Sequence, residues 1–133
     1  MGLFNKVFGG GNKEPKEERV LPWKILNDIK QLNQIAKDSK VKPIAIYKHS
    51  TTCGISRMVL RGLEAQYDID AESLDFYYLD LKAHRNISNE VAARFKVWHE
   101  SPQIIIIRNG KAVYNASHSA VNAHVLKDLV TAQ

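Results

Sequence analysis

The chain has 133 residues, a single cysteine and a formal net charge of +5. That length suits one domain with a core large enough to stand without disulfides, and a lone cysteine excludes an intrachain bridge. No CxxC pair or Cys/His cluster proposes a metal site. The cationic residues are spread along the chain rather than gathered into a basic run with aromatics, so neither nucleic acid nor a membrane is an expected partner.

The start, Met1-Gly2-Leu3-Phe4-Asn5-Lys6-Val7-Phe8, is too short and interrupted for a signal peptide or a membrane span. Gly2 resembles a myristoylation start, but Lys6 stands where that motif wants Ser or Thr. The expectation is a soluble cytoplasmic protein. Residues 9–19 are mostly glycine, lysine and glutamate with no large apolar side chain, so residues 1–20 are read as a flexible tail and residues 21–133 as the domain.

From Asn27, a plausible N-cap, Ile29, Leu32, Ile35 and Ala36 fall on one helical face. Lys40-Val41-Lys42-Pro43 ends that helix, and Ile44-Ala45-Ile46-Tyr47 reads as a strand buried on both faces. Met58, Val59, Leu60 and Leu63 supply the apolar face of the next helix. Leu74 to Leu81 is aromatic and aliphatic, as a strand requires. Ser88 is read as the cap of a helix whose Val91, Phe95 and Trp98 face inward. Gln103 to Arg108 carries four isoleucines in a row, Asn109-Gly110 is a hairpin turn signal, and Lys111 to Tyr114 returns antiparallel. A last helix starts near Ser119, with Val121, Val125, Leu126, Leu129 and Val130 inward. The order is strand, helix, strand, helix, strand, helix, hairpin, helix. It predicts an α/β fold with a central mixed sheet and helices on both faces.

Cys53 lies in Lys48-His49-Ser50-Thr51-Thr52-Cys53-Gly54-Ile55-Ser56, between a strand and a helix. Ligands of open α/β sheets gather at the carboxyl ends of the strands. A helix N-terminus favours a thiolate over a thiol, and hydroxyls, a lysine, a histidine and a glycine are poor company for a core residue. Cys53 is therefore expected to be accessible and reactive. In Cys-Gly-Ile-Ser, Ser56 takes the place of a second thiol and cannot expel a bound partner. A mixed disulfide on Cys53 must then be resolved by an outside thiol, which is monothiol exchange.

Pro102 directly precedes a buried strand, so it is either strand punctuation or a cis Ser101–Pro102 bond presenting backbone to an extended ligand. Lys48 is either a carboxylate-attracting group near the thiol or a solvated strand end. Thr52 and Gln103 are either ligand contacts or exposed loop residues, and His118 and Ser119 either touch ligand or start the last helix. His99, beside Glu100, tunes the site or closes a helix. Arg57 and Arg61 are assigned to the wet face of the helix after Cys53, and Trp23 and Trp98 to the core.

Together, residues 50–56, His99-Glu100-Ser101-Pro102-Gln103 and Ser117-His118-Ser119 resemble the YtxJ-like, monothiol bacilliredoxin family of the thioredoxin-like superfamily. The resemblance covers roughly Leu21 to Val130. It implies a thioredoxin-like fold, a cis Pro102, and removal of bacillithiol from mixed disulfides on cytoplasmic proteins with Cys53 as attacking thiol. The candidate substrate-binding residues are Lys48, Thr52, Gly54, Ser101, Pro102, Gln103 and His118. No tightly bound cofactor or metal is implied; bacillithiol or another low-molecular-weight thiol is the co-substrate, and S-thiolated proteins are the partners. The family usually has proline where this chain has Gly54. Cys-Gly-Ile-Ser also resembles the Cys-Gly-Phe-Ser motif of monothiol glutaredoxins, which hold an iron–sulfur cluster with glutathione. Those proteins grip glutathione with a Gly-Gly-Cys/Ser-Asp segment after the hairpin, where this chain has Asn115-Ala116-Ser117-His118-Ser119.

Overall fold

The structure is a computed structural model that describes residues 23–131; the tail expected over residues 1–20 lies outside them. Five strands and four helices follow the expected order. These are β1 (Trp23–Ile25), α1 (Gln31–Asp38), β2 (Ile44–His49), α2 (Gly54–Gln66), β3 (Asp75–Asp80), α3 (Arg85–Phe95), β4 (Gln103–Arg108), β5 (Lys111–Ser117) and α4 (Ala123–Thr131). A 3-10 turn, His118–Ala120, lies between β5 and α4.

The sheet order is β1-β3-β2-β4-β5. β3 pairs parallel with both β1 and β2, while β4 runs antiparallel to β2 and to β5. The long β2–α2–β3 and β1–α1–β2 crossovers allow the parallel pairs, and Asn109-Gly110 closes the β4–β5 hairpin with both residues at positive φ.

The two-residue period of the strands splits the isoleucine-rich runs between two cores. Ala45, Tyr47, Ile104 and Ile106 pack with Leu63 of α2 and with Leu126 and Val130 of α4. Ile44, Ile46, Ile105 and Ile107 pack on the other face with Leu32 and Ile35 of α1 and with Ile87, Val91 and Phe95 of α3. Helices on both faces explain why β2 and β4 read as unbroken apolar runs. Trp23 packs on Phe76 and Tyr78, as a core aromatic should.

Several boundaries differ from the expectations. Asn27 does not cap α1. The Gln31 side chain accepts from the Asn27 and Asp28 N–H groups at 2.8 and 2.9 Å and donates to the Ile25 carbonyl; the helix starts three residues later, with Lys30 as its N-cap, and leaves Ile29 exposed. Ser88 is buried inside α3, which begins at Arg85. α3 ends at a left-handed Lys96, so Trp98 falls in the following loop and is 90 % exposed rather than in the core. β5 continues to Ser117. α4 begins at Ala123, where Asn122 Oδ1 accepts from the His124 and Val125 N–H groups. Met58 and Val125 lie on outward faces.

Candidate active site

Cys53 is the N-cap of α2, with extended backbone (φ −102°, ψ 122°), just past the carboxyl end of β2. Its side chain is half-buried, and its own N–H donates to the Ser50 carbonyl at 3.2 Å, closing the loop 50–53. The first-turn N–H groups of a helix have no intrahelical acceptor, so sulfur stands at a terminus with donors to offer. No acidic residue occupies that first turn.

Ser56, one turn along, is fully buried, and its Oγ accepts from the Ser50 N–H at 3.1 Å. Tyr47, beneath it on β2, reaches the Ser56 carbonyl with its hydroxyl at 3.5 Å. Burial raises the Tyr47 phenol far above its ordinary range, with smaller contributions from Tyr78, Glu64 and Cys53, so it stays neutral. Two cations touch the same loop. Arg57 donates to the Thr51 carbonyl at 3.3 Å, and Lys82 donates to Thr52 Oγ1 at 3.2 Å. His49, buried against the Tyr47 and Tyr78 rings, is pushed down chiefly by burial; Asp80 pulls it up and Arg57 pushes it further down.

The loop between α3 and β4 leads into β4, the antiparallel neighbour of β2. The Ser101–Pro102 bond is cis, and Pro102 is buried. The Pro102 carbonyl accepts from the His118 N–H at 3.0 Å, and His118 Nε2 lies 3.8 Å from Glu100 Oε1. The N–H and C=O of Ser101 make no hydrogen bond among the described residues, and its buried hydroxyl has no partner. An extended peptide backbone laid along residue 101 would find both a donor and an acceptor there.

This arrangement is a free cysteine at a helix start in a β1-β3-β2-β4-β5 sheet, with a cis-proline heading β4. Residues 24–126 match the family described as monothiol bacilliredoxin BrxC. The chain belongs to the monothiol bacilliredoxin family. A solved structure provisionally described as an oxidoreductase with a thioredoxin fold is 31 % identical, with a TM-score of 0.62, over 77 % of this chain and 88 % of the other. Malassezia sympodialis thioredoxin is 18 % identical with a TM-score of 0.64, covering 90 % and 96 % of the two chains. Fasciola hepatica thioredoxin is 23 % identical with a TM-score of 0.56, covering 80 % and 95 %. The fold is thioredoxin-like, and the bacilliredoxin chain is a thiol oxidoreductase in general class.

Thr52, Cys53, Gly54 and Ser56 follow the carboxyl end of β2, Ser101 and Pro102 lead into β4, which pairs antiparallel with β2 at Lys48 and Gln103, and His118 is tied to Pro102. Lys48 is not a solvated strand end: it is fully buried, with Nζ 3.3 Å from the Ser88 carbonyl and 3.1 Å from His99 Nδ1. Burial lowers its pKa to about 8. Gln103 is not an exposed loop residue either. It is fully buried and clamps its own loop, donating to the Trp98 carbonyl at 2.9 Å and accepting from the Glu100 N–H at 3.3 Å. Sequence reasoning missed Lys82 altogether; Arg57 and Arg61 are exposed on α2 as expected, but the bond from Arg57 to the Thr51 carbonyl was not foreseen. The signal for Arg57 was its place in the first turn of α2, where a cation is disfavoured by the helix dipole. Among the described residues no cluster of three or more metal-ligating side chains exists, and no helix is long and apolar enough to cross a membrane.

Proposed function

We propose that this protein removes bacillithiol, or a closely similar low-molecular-weight thiol, from mixed disulfides on cytoplasmic proteins. The observation that carries the reading is Cys53 at the start of α2 with a buried serine, not a thiol, at position 56. The thiolate of Cys53 attacks the sulfur of the small thiol in the protein mixed disulfide. The S–S bond to the protein breaks, the protein sulfur leaves with the electron pair and takes a proton from water, and the small thiol is now joined to Cys53. With no second cysteine in the chain, a second low-molecular-weight thiolate attacks that adduct. It forms the symmetrical small-molecule disulfide and returns Cys53 as thiolate; the two electrons come from the small thiols.

The open backbone groups of Ser101 support a docking mode in which substrate pairs along the Ser101–Pro102 segment, with Thr52 and Gly54 on the facing side. The family match supports bacillithiol over glutathione as the cap. Incubation with bacillithiol disulfide and glutathione disulfide in parallel, followed by intact mass, tests the choice. A selective bacillithiol adduct on Cys53 is the expected result. Preference for glutathione, together with a brown dimer on anaerobic reconstitution with iron and sulfide, would instead favour a glutaredoxin-like iron–sulfur carrier.

A further inference from the structure

Lys48 is a lysine with no exposed surface and, among the described residues, no carboxylate within ion-pair distance. Such a residue is costly to keep, and an apolar side chain of similar length would serve the core better. What it gains is reach. It sits on β2 opposite Gln103 of β4, and its Nζ joins the Ser88 carbonyl of α3 to His99 Nδ1 in the loop that leads into Ser101–Pro102. Ser88 Oγ lies 3.4 Å from the same ring nitrogen. Because a lysine ammonium only donates, His99 Nδ1 accepts, and the ring carries its proton on Nε2. The loop is thus held at two adjacent rungs, by Lys48 through the His99 side chain and by Gln103 through the Trp98 and Glu100 backbone.

We propose that Lys48 is a positioning residue that latches the 97–102 loop through His99, setting the Ser101–Pro102 backbone for extended substrates facing Cys53. This rests on the thiol-exchange reading above. The latch needs Lys48 protonated and His99 neutral. Protonating His99 would set two cations face to face, and the loop would lose its tie. The charged groups around His99 are Lys48 from β2, Arg85 from the start of α3 and Glu100 from the loop itself, with Glu100 also facing His118. Burial, Lys48 and Arg85 all disfavour the His99 cation, and Glu100 alone opposes them. Near neutral pH the latch is closed, and it opens on acidification.

The test compares two probes that release the same thiopyridine. One is a dithiodipyridine, which needs no loop; the other is a short extended peptide whose cysteine is capped by thiopyridine. The ratio of the two rates cancels changes in thiol reactivity and leaves peptide positioning. At neutral pH, Lys48→Met should lower the peptide-to-reagent ratio about tenfold. Because His99 is held below the ordinary histidine range, the wild-type ratio should fall only as pH drops below about 6.5 towards about 4. In His99→Asn, whose amide oxygen accepts like Nδ1 but does not titrate, the ratio should stay flat. An unchanged ratio in Lys48→Met, or the same acid fall in His99→Asn as in the wild type, overturns the latch. Circular dichroism checks Lys48→Met for folding, and if it fails, the His99→Asn profile decides alone. Should Cys53 release thiopyridine from neither probe, the thiol-exchange reading itself falls.

Discussion

Ser56 Oγ accepts a hydrogen bond from the Ser50 N–H at 3.1 Å, so the position a resolving thiol would occupy is instead a tie between helix α2 and the active-site loop. Sulfur is a weak acceptor, and the partly buried Ser50 N–H would lose most of that bond in Ser56→Cys. The variant should unfold about 1 kcal/mol more easily, read from urea midpoints under reducing conditions. Its chemistry should change as well. One helical turn separates positions 53 and 56, within reach of a disulfide. In a single turnover the natural protein should hold the small thiol on Cys53, while the variant should release it and lose two hydrogens in mass. A variant that keeps its adduct as stably as the parent would show that the two positions do not face each other.

Gly54 is the first residue of α2, and a Cβ there would meet only Arg57, at 3.9 Å. Cys53 before it is already extended, the conformation a following proline requires. Nothing in the packing demands glycine, and proline is well suited to a first helical position. Gly54→Pro should therefore stabilise by about 0.4–1 kcal/mol, mainly by restricting the unfolded chain, and raise Tm by about 2–5 °C. A lowered Tm in a thermal melt would mean that the Gly54 N–H has an acceptor or that the loop needs its freedom.

The strands and their order were legible because β2 and β4, sandwiched between helices, become continuous β-branched runs, and because Asn109-Gly110 permits little but a hairpin. Cys53 was legible because it carries its meaning locally, at a helix start, whereas the cis Pro102 followed only from the family resemblance, since a proline before a strand is more often simple punctuation. Lys48 was not legible. It ends an apolar run and polar residues follow it, so it reads as a strand end, while the groups that hold it, on Ser88 and His99, lie forty and fifty-one residues away. Gln103 misled in the same way, since its partners exist only once the loop folds back. Trp98 failed for a different reason: the left-handed Lys96 ends α3 and breaks the helical phase that would have turned the indole inward.

The buried Lys48 makes stability depend on alkaline pH. Its pKa is about 8 in the folded protein against 10.5 when exposed, with burial as the cause. Between those values the unfolded chain holds the proton and the folded one does not, so stability rises with pH across that window. Below about pH 8 the full penalty applies, on the order of 3 kcal/mol. Removing the amine removes the penalty. The stability of Lys48→Met relative to the wild type should therefore be greatest near neutrality and shrink as pH rises from about 8 to about 10.5, other titrations cancelling in the difference. Chemical denaturation of the two proteins at matched pH measures this. A difference that stays constant across the window would mean that Lys48 is charged throughout or hydrated in the fold.

Gln103 and Trp98 separate side-chain from backbone roles within one loop. Gln103 is fully buried, and its amide holds the Trp98 carbonyl and the Glu100 N–H. Truncation to Ala leaves a carbonyl and an amide without their partners beside a cavity, and should cost about 2 kcal/mol or more. Trp98 is touched there only through its main chain, and its indole is 90 % exposed. Trp98→Ala keeps the carbonyl and should change stability by less than about 0.5 kcal/mol. The ordering Gln103→Ala much worse than Trp98→Ala is the opposite of what residue size suggests, which makes it informative. Urea denaturation of both variants followed by circular dichroism gives the comparison. If Trp98→Ala proved the more damaging, the indole would be packed, and the loop would run differently between α3 and Pro102.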